Sequence, residues 1–192
     1  ANDELLFRGF LILPSVGSRR SWWLINVITL FVFVVMYLVF YLLAITLGAD
    51  IYSPLNFKGF FAEIPIHDLW PYAKTFSNLQ VLFVVFVLWV CSLFTMALLQ
   101  MTISMLTKHT FSGLLVVSML LLLSCFLSIG RPWMVRWFPG TQSILVRHTF
   151  IDPTIPGFTF LWSVIYDLCL AITTFLIGLL HLKRMDIDYG QK

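Results

Sequence analysis

Asp167 is a lone carboxylate in the apolar run SVIYDLCLA. A carboxylate in hydrocarbon is costly, so such a residue turns toward protein or water and has a role there. Two roles fit. One is a polar point on a transport path or at a subunit contact. The other is a carboxylate hydrogen-bonded to a neighbouring helix, or one lying shallower in the membrane. Gln100, Thr102 and Ser104, in LLQMTISML, are milder polar intrusions into a second apolar run, and hydrogen bonding between helices accounts for them. An intramembrane enzyme would need a second catalytic group within hydrogen-bond reach of Asp167, and no pattern in the sequence supplies one.

Other chemistries have weaker claims. The chain carries no GxxxxGK[ST] phosphate loop, so it hydrolyses no ATP through a P-loop of its own. HExxH and GxSxG are also absent. His67, His109, His148 and His181 are far apart in sequence. His67 and His148 fall on one side of the membrane in the topology below, but two histidines without a third ligand make a poor zinc site. Cys91, Cys125 and Cys169 lie inside apolar runs with no CxxC pairing, as small buried hydrophobes do. The expectation is no catalytic, cofactor-binding or metal-binding residue in this chain.

The elements that must position Asp167 follow from composition. Of 192 residues, 60% are hydrophobic and only 11% charged, against about 25% charged in soluble domains. The solvent is therefore largely lipid. The net charge of +3 is too small to point to nucleic acid. A transmembrane helix needs about 20 apolar residues, and four stretches qualify: about 22–47, 79–105, 111–129 and 158–182. Asp167 then lies about ten residues into the last span, about 15 Å from its start. The predicted fold is an all-α integral membrane domain over residues 1–192. It has four spans, with short interfacial or re-entrant helices in the outer loop before the last one.

The flanks give an orientation. GSRRSWW, residues 17–23, sets Arg19 and Arg20 beside Trp22 and Trp23 at the start of the first span. Arginine favours the cytoplasmic flank and tryptophan the headgroup layer. With four spans, LTKHT (106–110) and the tail HLKRMDIDYGQK share that side. The inner cations are then seven (Arg8, Arg19, Arg20, Lys108, Lys183, Arg184, Lys192), against five outside (Lys58, Lys74, Arg131, Arg136, Arg147). Both ends are expected in the cytoplasm, residues 1–21 as an interfacial segment and 183–192 as a tail. No cleavable signal peptide is expected, because Arg8 and Pro14 break the first apolar stretch. Outside, GRPWMVRWFPGTQSILVRHTFIDPTIP alternates apolar pieces with arginines and prolines, as a partly membrane-embedded segment does.

These stretches resemble a family. GSRRSWWLINVI is similar to the segment of type-2 ABC transporter permeases that leads from the coupling helix into the third span. FPGTQSILVRH resembles the stretch between their fifth and sixth spans, and LIGLLHLKRMDI their closing helix and basic tail. The resemblance covers most of the chain with loose motifs. It implies the last four of six spans, with two N-terminal spans in a longer chain or in a partner, and the non-Met start favours the longer chain. It implies the membrane subunit of an ABC exporter in a bacterial plasma membrane, facing a second permease copy or a related permease. A separate ATPase subunit would hold ATP and Mg. It places coupling or membrane anchoring at Arg8, Arg19, Arg20, Trp22 and Trp23, and a path or interhelical contact at Asp167 and Gln100. The competing class is a structural or assembly subunit of a larger membrane complex with no path of its own.

Overall fold

A computed structural model of the chain describes residues 18–52, 78–130, 132–149 and 155–184. Four long helices form it: α1 (Arg19–Tyr52, 34 residues), α2 (Asn78–Thr107, 30 residues), α3 (Thr110–Gly130, 21 residues) and α4 (Phe160–Arg184, 25 residues). Each contains a stretch long and apolar enough to cross a membrane: Arg20–Ile45, Gln80–Thr107, Thr110–Leu127 and Phe160–Lys183. At about 1.5 Å per residue, even α3 covers about 30 Å, the thickness of the hydrocarbon core. The chain is an all-helical integral membrane protein, and its solvent is the bilayer. The four expected spans are the four helices, with ends shifted by a few residues; α1 runs on to Tyr52.

The helix starts are written in hydroxyls. Ser18 caps α1, its Oγ accepting from the Ser21 N–H at 3.1 Å. Thr159 does the same for α4, accepting from the Trp162 N–H at 3.2 Å. The turn from α2 to α3 is tight because side chains satisfy its backbone. Thr107 donates to the Ile103 carbonyl at 2.8 Å, Ser104 to the Thr110 carbonyl at 3.2 Å, and the hydroxyls of Thr107 and Ser112 bond to each other. Lys108 makes the corner at φ 58°, a left-handed position that usually falls to glycine.

Between helices, the chain relies on small residues. In lipid, helix association rests on close packing rather than on the hydrophobic effect. α4 buries Ser163, Asp167, Ala171, Thr174, Gly178 and Leu182, a stripe at helical spacing. α2 lies at the centre and touches all three other helices. It buries Leu88, Ser92, Thr95, Leu98 and Thr102. At the turn end of the bundle Trp23, Leu98, Ala171 and Leu182 form a core with Phe94, Met101, Met105 and Phe175 around it. The α1 face carrying Phe33, Tyr37 and Phe40 is exposed to lipid. Alternating directions place Arg19, Arg20, Lys108, Lys183 and Arg184 at one end, as an even span count requires.

At the other end, three 3-10 helices (Pro132–Trp137, Pro139–Thr141, Leu145–Arg147) bridge α3 and α4. The sequence called for short interfacial or re-entrant helices here, and the helices are of the tighter kind. Pro132, Pro139 and Gly140 interrupt the segment too often for a four-residue repeat to propagate. They fold into a cap with its own core of Val135, Ile155 and Phe158. Gly140 brings the cap onto α3, where an added Cβ would stand 2.9 Å from that of Ser124.

Candidate functional site

The site is built where the cap meets α4. Thr141 fixes the cap turn by donating to the carbonyls of Val135 and Phe138. Gln142, fully buried, donates through Nε2 to the carbonyls of Arg136 (2.9 Å) and Phe138 (3.0 Å). Those two bonds set the amide's orientation and turn Oε1 toward α4, where the Ser163 hydroxyl donates to it at 2.8 Å. His148, also fully buried, brings Nε2 to the same Ser163 Oγ at 2.9 Å. Its ring stacks on Phe158 with centroids 4.4 Å apart. Its Nδ1 faces the carbonyls of Ile144 (3.0 Å) and Leu145 (3.3 Å). Burial pushes the imidazole below its ordinary value of 6.5, against the opposing effect of those two carbonyls.

Aromatic residues lock this cap to α4. Trp162 donates from Nε1 to the Arg136 carbonyl at 3.0 Å, and the Tyr166 hydroxyl donates to the Trp137 carbonyl at 2.9 Å. Trp137 and Trp162 meet edge to face at 5.3 Å. The Arg136 guanidinium lies over the Trp137 ring at 5.2 Å.

One turn below Ser163 on the same face is Asp167, 1% exposed. Neither carboxylate oxygen has a hydrogen-bond partner among the described residues. Its backbone carbonyl is taken by the Thr95 hydroxyl of α2 at 3.1 Å. The Cys91 thiol of α2 and the Tyr166 phenol lie within electrostatic range of the carboxyl. Among the described residues the carboxylate has no hydrogen bond to a neighbouring helix. The acid is inside the bundle, against α2, with its charge-bearing atoms unpaired among the described residues.

No family model, curated protein or solved structure matches this chain.

The remaining candidates are scattered. Gln100 is half-buried on α2, its backbone carbonyl close against Gly113 of α3. Arg8 and His67 lie outside the described residues, and Arg19 opens α1. Arg20 is exposed and, with Ser18, Leu179, Leu182 and Lys183, lines a groove of about 440 Å³ at the turn end. Trp22 is half-buried beside the core. Trp23 departs from the expected headgroup anchor. It is 1% exposed, its indole seated over Gly178, where the missing side chain makes room for the ring. The cysteines differ as well: Cys125 and Cys169 are exposed and Cys91 half-buried. In a span, a thiol is as well placed against lipid as against protein.

No group of three or more metal-ligating side chains occurs among the described residues. Sequence reasoning missed Gln142, Ser163 and His148 as a set. Their partnership is long-range, and only Ser163 carried a signal, as the residue one helical turn before Asp167.

Proposed function

We propose that the chain is the membrane-spanning permease subunit of an ATP-driven ABC exporter, coupled to a separate ATPase subunit that holds ATP and Mg. The observation that carries a transport role is Asp167, a buried carboxylate without a hydrogen-bond partner among the described residues, at the middle of a seam of hydroxyl and small residues. The ATPase partner follows from the missing P-loop and from the family resemblance. The 440 Å³ groove does not reach Asp167, and neither does the one of about 220 Å³ along Phe111–Leu122 of α3. The substrate path in this reading therefore forms against a second permease copy or a related one. The subunit belongs in a bacterial plasma membrane with both termini in the cytoplasm. Arg19 and Arg20 then stand at the cytoplasmic face, with Arg8 in the segment that meets the ATPase.

A second reading, a structural or assembly subunit, draws on the close packing of the α2–α4 seam. Gentle purification from native membranes with mass spectrometry of the co-eluting proteins separates the two. A stoichiometric subunit with a P-loop is the expected result. Membrane subunits without any ATPase would refute the exporter and favour the structural subunit.

A further inference from the structure

The groove of about 440 Å³ at the turn end is both charged and apolar, in a definite order. Leu179 and Leu182 of α4 line it and also pack in the core around Trp23. Arg20 of α1 and Lys183 of α4 line it too, and both are exposed. Arg20 is the first residue of one membrane-crossing stretch and Lys183 the last of another. The two cations therefore stand where the hydrocarbon ends, and Leu179 lies one helical turn further into the membrane. The volume falls within the range of about 300–1,000 Å³ found for ligand pockets.

The charges around this groove have one sign. Arg19, Arg20, Lys108, Lys183 and Arg184 gather at the turn end. The acids among the described residues are elsewhere: Asp50 near the far end of α1, and Asp167 inside the bundle. Two cations lining one groove repel each other unless an anion lies between them. α1 has little else to hold it, since among its described side chains only Trp23 and Leu38 are buried. A ligand that suits the groove carries an anionic group at the membrane surface and an apolar body that reaches inward. A small soluble anion would meet the first condition and leave the two leucines uncovered.

We propose that the groove binds an anionic phospholipid, with its phosphate between Arg20 and Lys183 and an acyl chain along Leu179. Basic pockets between transmembrane helices suit such headgroups. The bound lipid joins the start of α1 to the end of α4. This is more than a membrane anchor on α1, because half of the site belongs to another helix. The site rests neither on the exporter reading nor on which membrane face the turn end occupies.

Native mass spectrometry of the purified full chain, titrated with phosphatidylglycerol or with phosphatidylcholine, tests this. Wild type should bind phosphatidylglycerol more tightly. Arg20→Gln and Lys183→Gln should each weaken that binding about fivefold, which corresponds to the 1 kcal/mol or so that one cation contributes at a membrane surface. Phosphatidylcholine binding should not change in either. Lys108→Asn removes a cation at the same end but outside the groove, and it should leave both lipids unaffected. Equal binding of the two lipids by wild type, the result if a segment of the chain itself fills the groove, would overturn the site. An equal loss in all three variants would also overturn it, because diffuse surface charge would then be the cause. Displacement of the lipid by inorganic phosphate would make a free anion the occupant and refute the phospholipid.

Discussion

Gly178→Ala tests whether Trp23 belongs to the bundle core. An ideal Cβ at residue 178 would stand 3.0 Å from Trp23 Cε2 and closer still to Cζ2 and Cη2. The indole cannot retreat freely, because it is 1% exposed and packed beside Phe175, with ring centroids 6.2 Å apart. Overpacking of this kind costs about 1–3 kcal/mol. Against it stands a gain of about 1 kcal/mol from replacing glycine by alanine inside a helix. The net expectation is a destabilisation of about 0–2 kcal/mol. The decisive comparison is the same change in a Trp23→Phe background. Phenylalanine withdraws the outer ring atoms that the new methyl would strike, so only the helix gain should remain and the sign should reverse. The coupling between the two positions should then be about 1 kcal/mol or more, within the range for residues in contact. Thermal unfolding of the four proteins in one detergent, followed by tryptophan-independent circular dichroism, measures it. Additive effects would refute the placement of Trp23 over Gly178 and return it to the membrane interface.

Gly113→Ala should loosen the α2–α3 hairpin. Its Cβ would meet Ser104 Oγ, the Gln100 carbonyl and, at 3.1 Å, the Ser104 amide, and backbone atoms cannot rotate away. A net loss of up to about 2 kcal/mol after the helix gain should appear as a lower unfolding temperature, and a raised one would place the helices further apart. His148 should make the cap acid-sensitive. Its folded value lies below the unfolded 6.5, so the unfolded chain binds the proton more readily. The stability contributed by the neutral ring is present above pH 6.5, is lost as pH falls toward the folded value, and is level below it. Unfolding temperatures measured from about pH 8 to about pH 5 should fall more steeply in wild type than in His148→Gln, and parallel curves would contradict it.

The spans were legible because lipid selects by composition alone: nearly any run like FVFVVMYLVFYLLAI must cross. The α4 face was legible in principle too. Ser163, Asp167, Ala171, Thr174 and Gly178 recur at helical spacing, and small residues at that spacing mark a helix contact. What the chain order concealed is the cap. Gln142 and His148 reach Ser163 across 21 and 15 residues, through 3-10 helices whose geometry is set by proline positions and side-chain bonds rather than by hydrophobic period. Trp23 was hidden for a related reason. The pattern that marks an interface anchor, tryptophan beside arginine, is also produced when a core tryptophan falls at the first turn of a span, and only the glycine on another helix distinguishes them.

The fold does not need Asp167. Two turns or fewer away on the same face, Ala171 and Thr174 pack against the bundle with no buried charge-bearing atom left unpaired. The Thr95 bond that ties α2 to α4 at this level goes to the Asp167 backbone carbonyl, which any residue would provide. Burying a carboxyl without a hydrogen-bond partner costs free energy that an apolar side chain in its place would not. The carboxyl is therefore a cost that packing alone would avoid. Stability explains the seam of small residues and does not explain the one carboxyl within it.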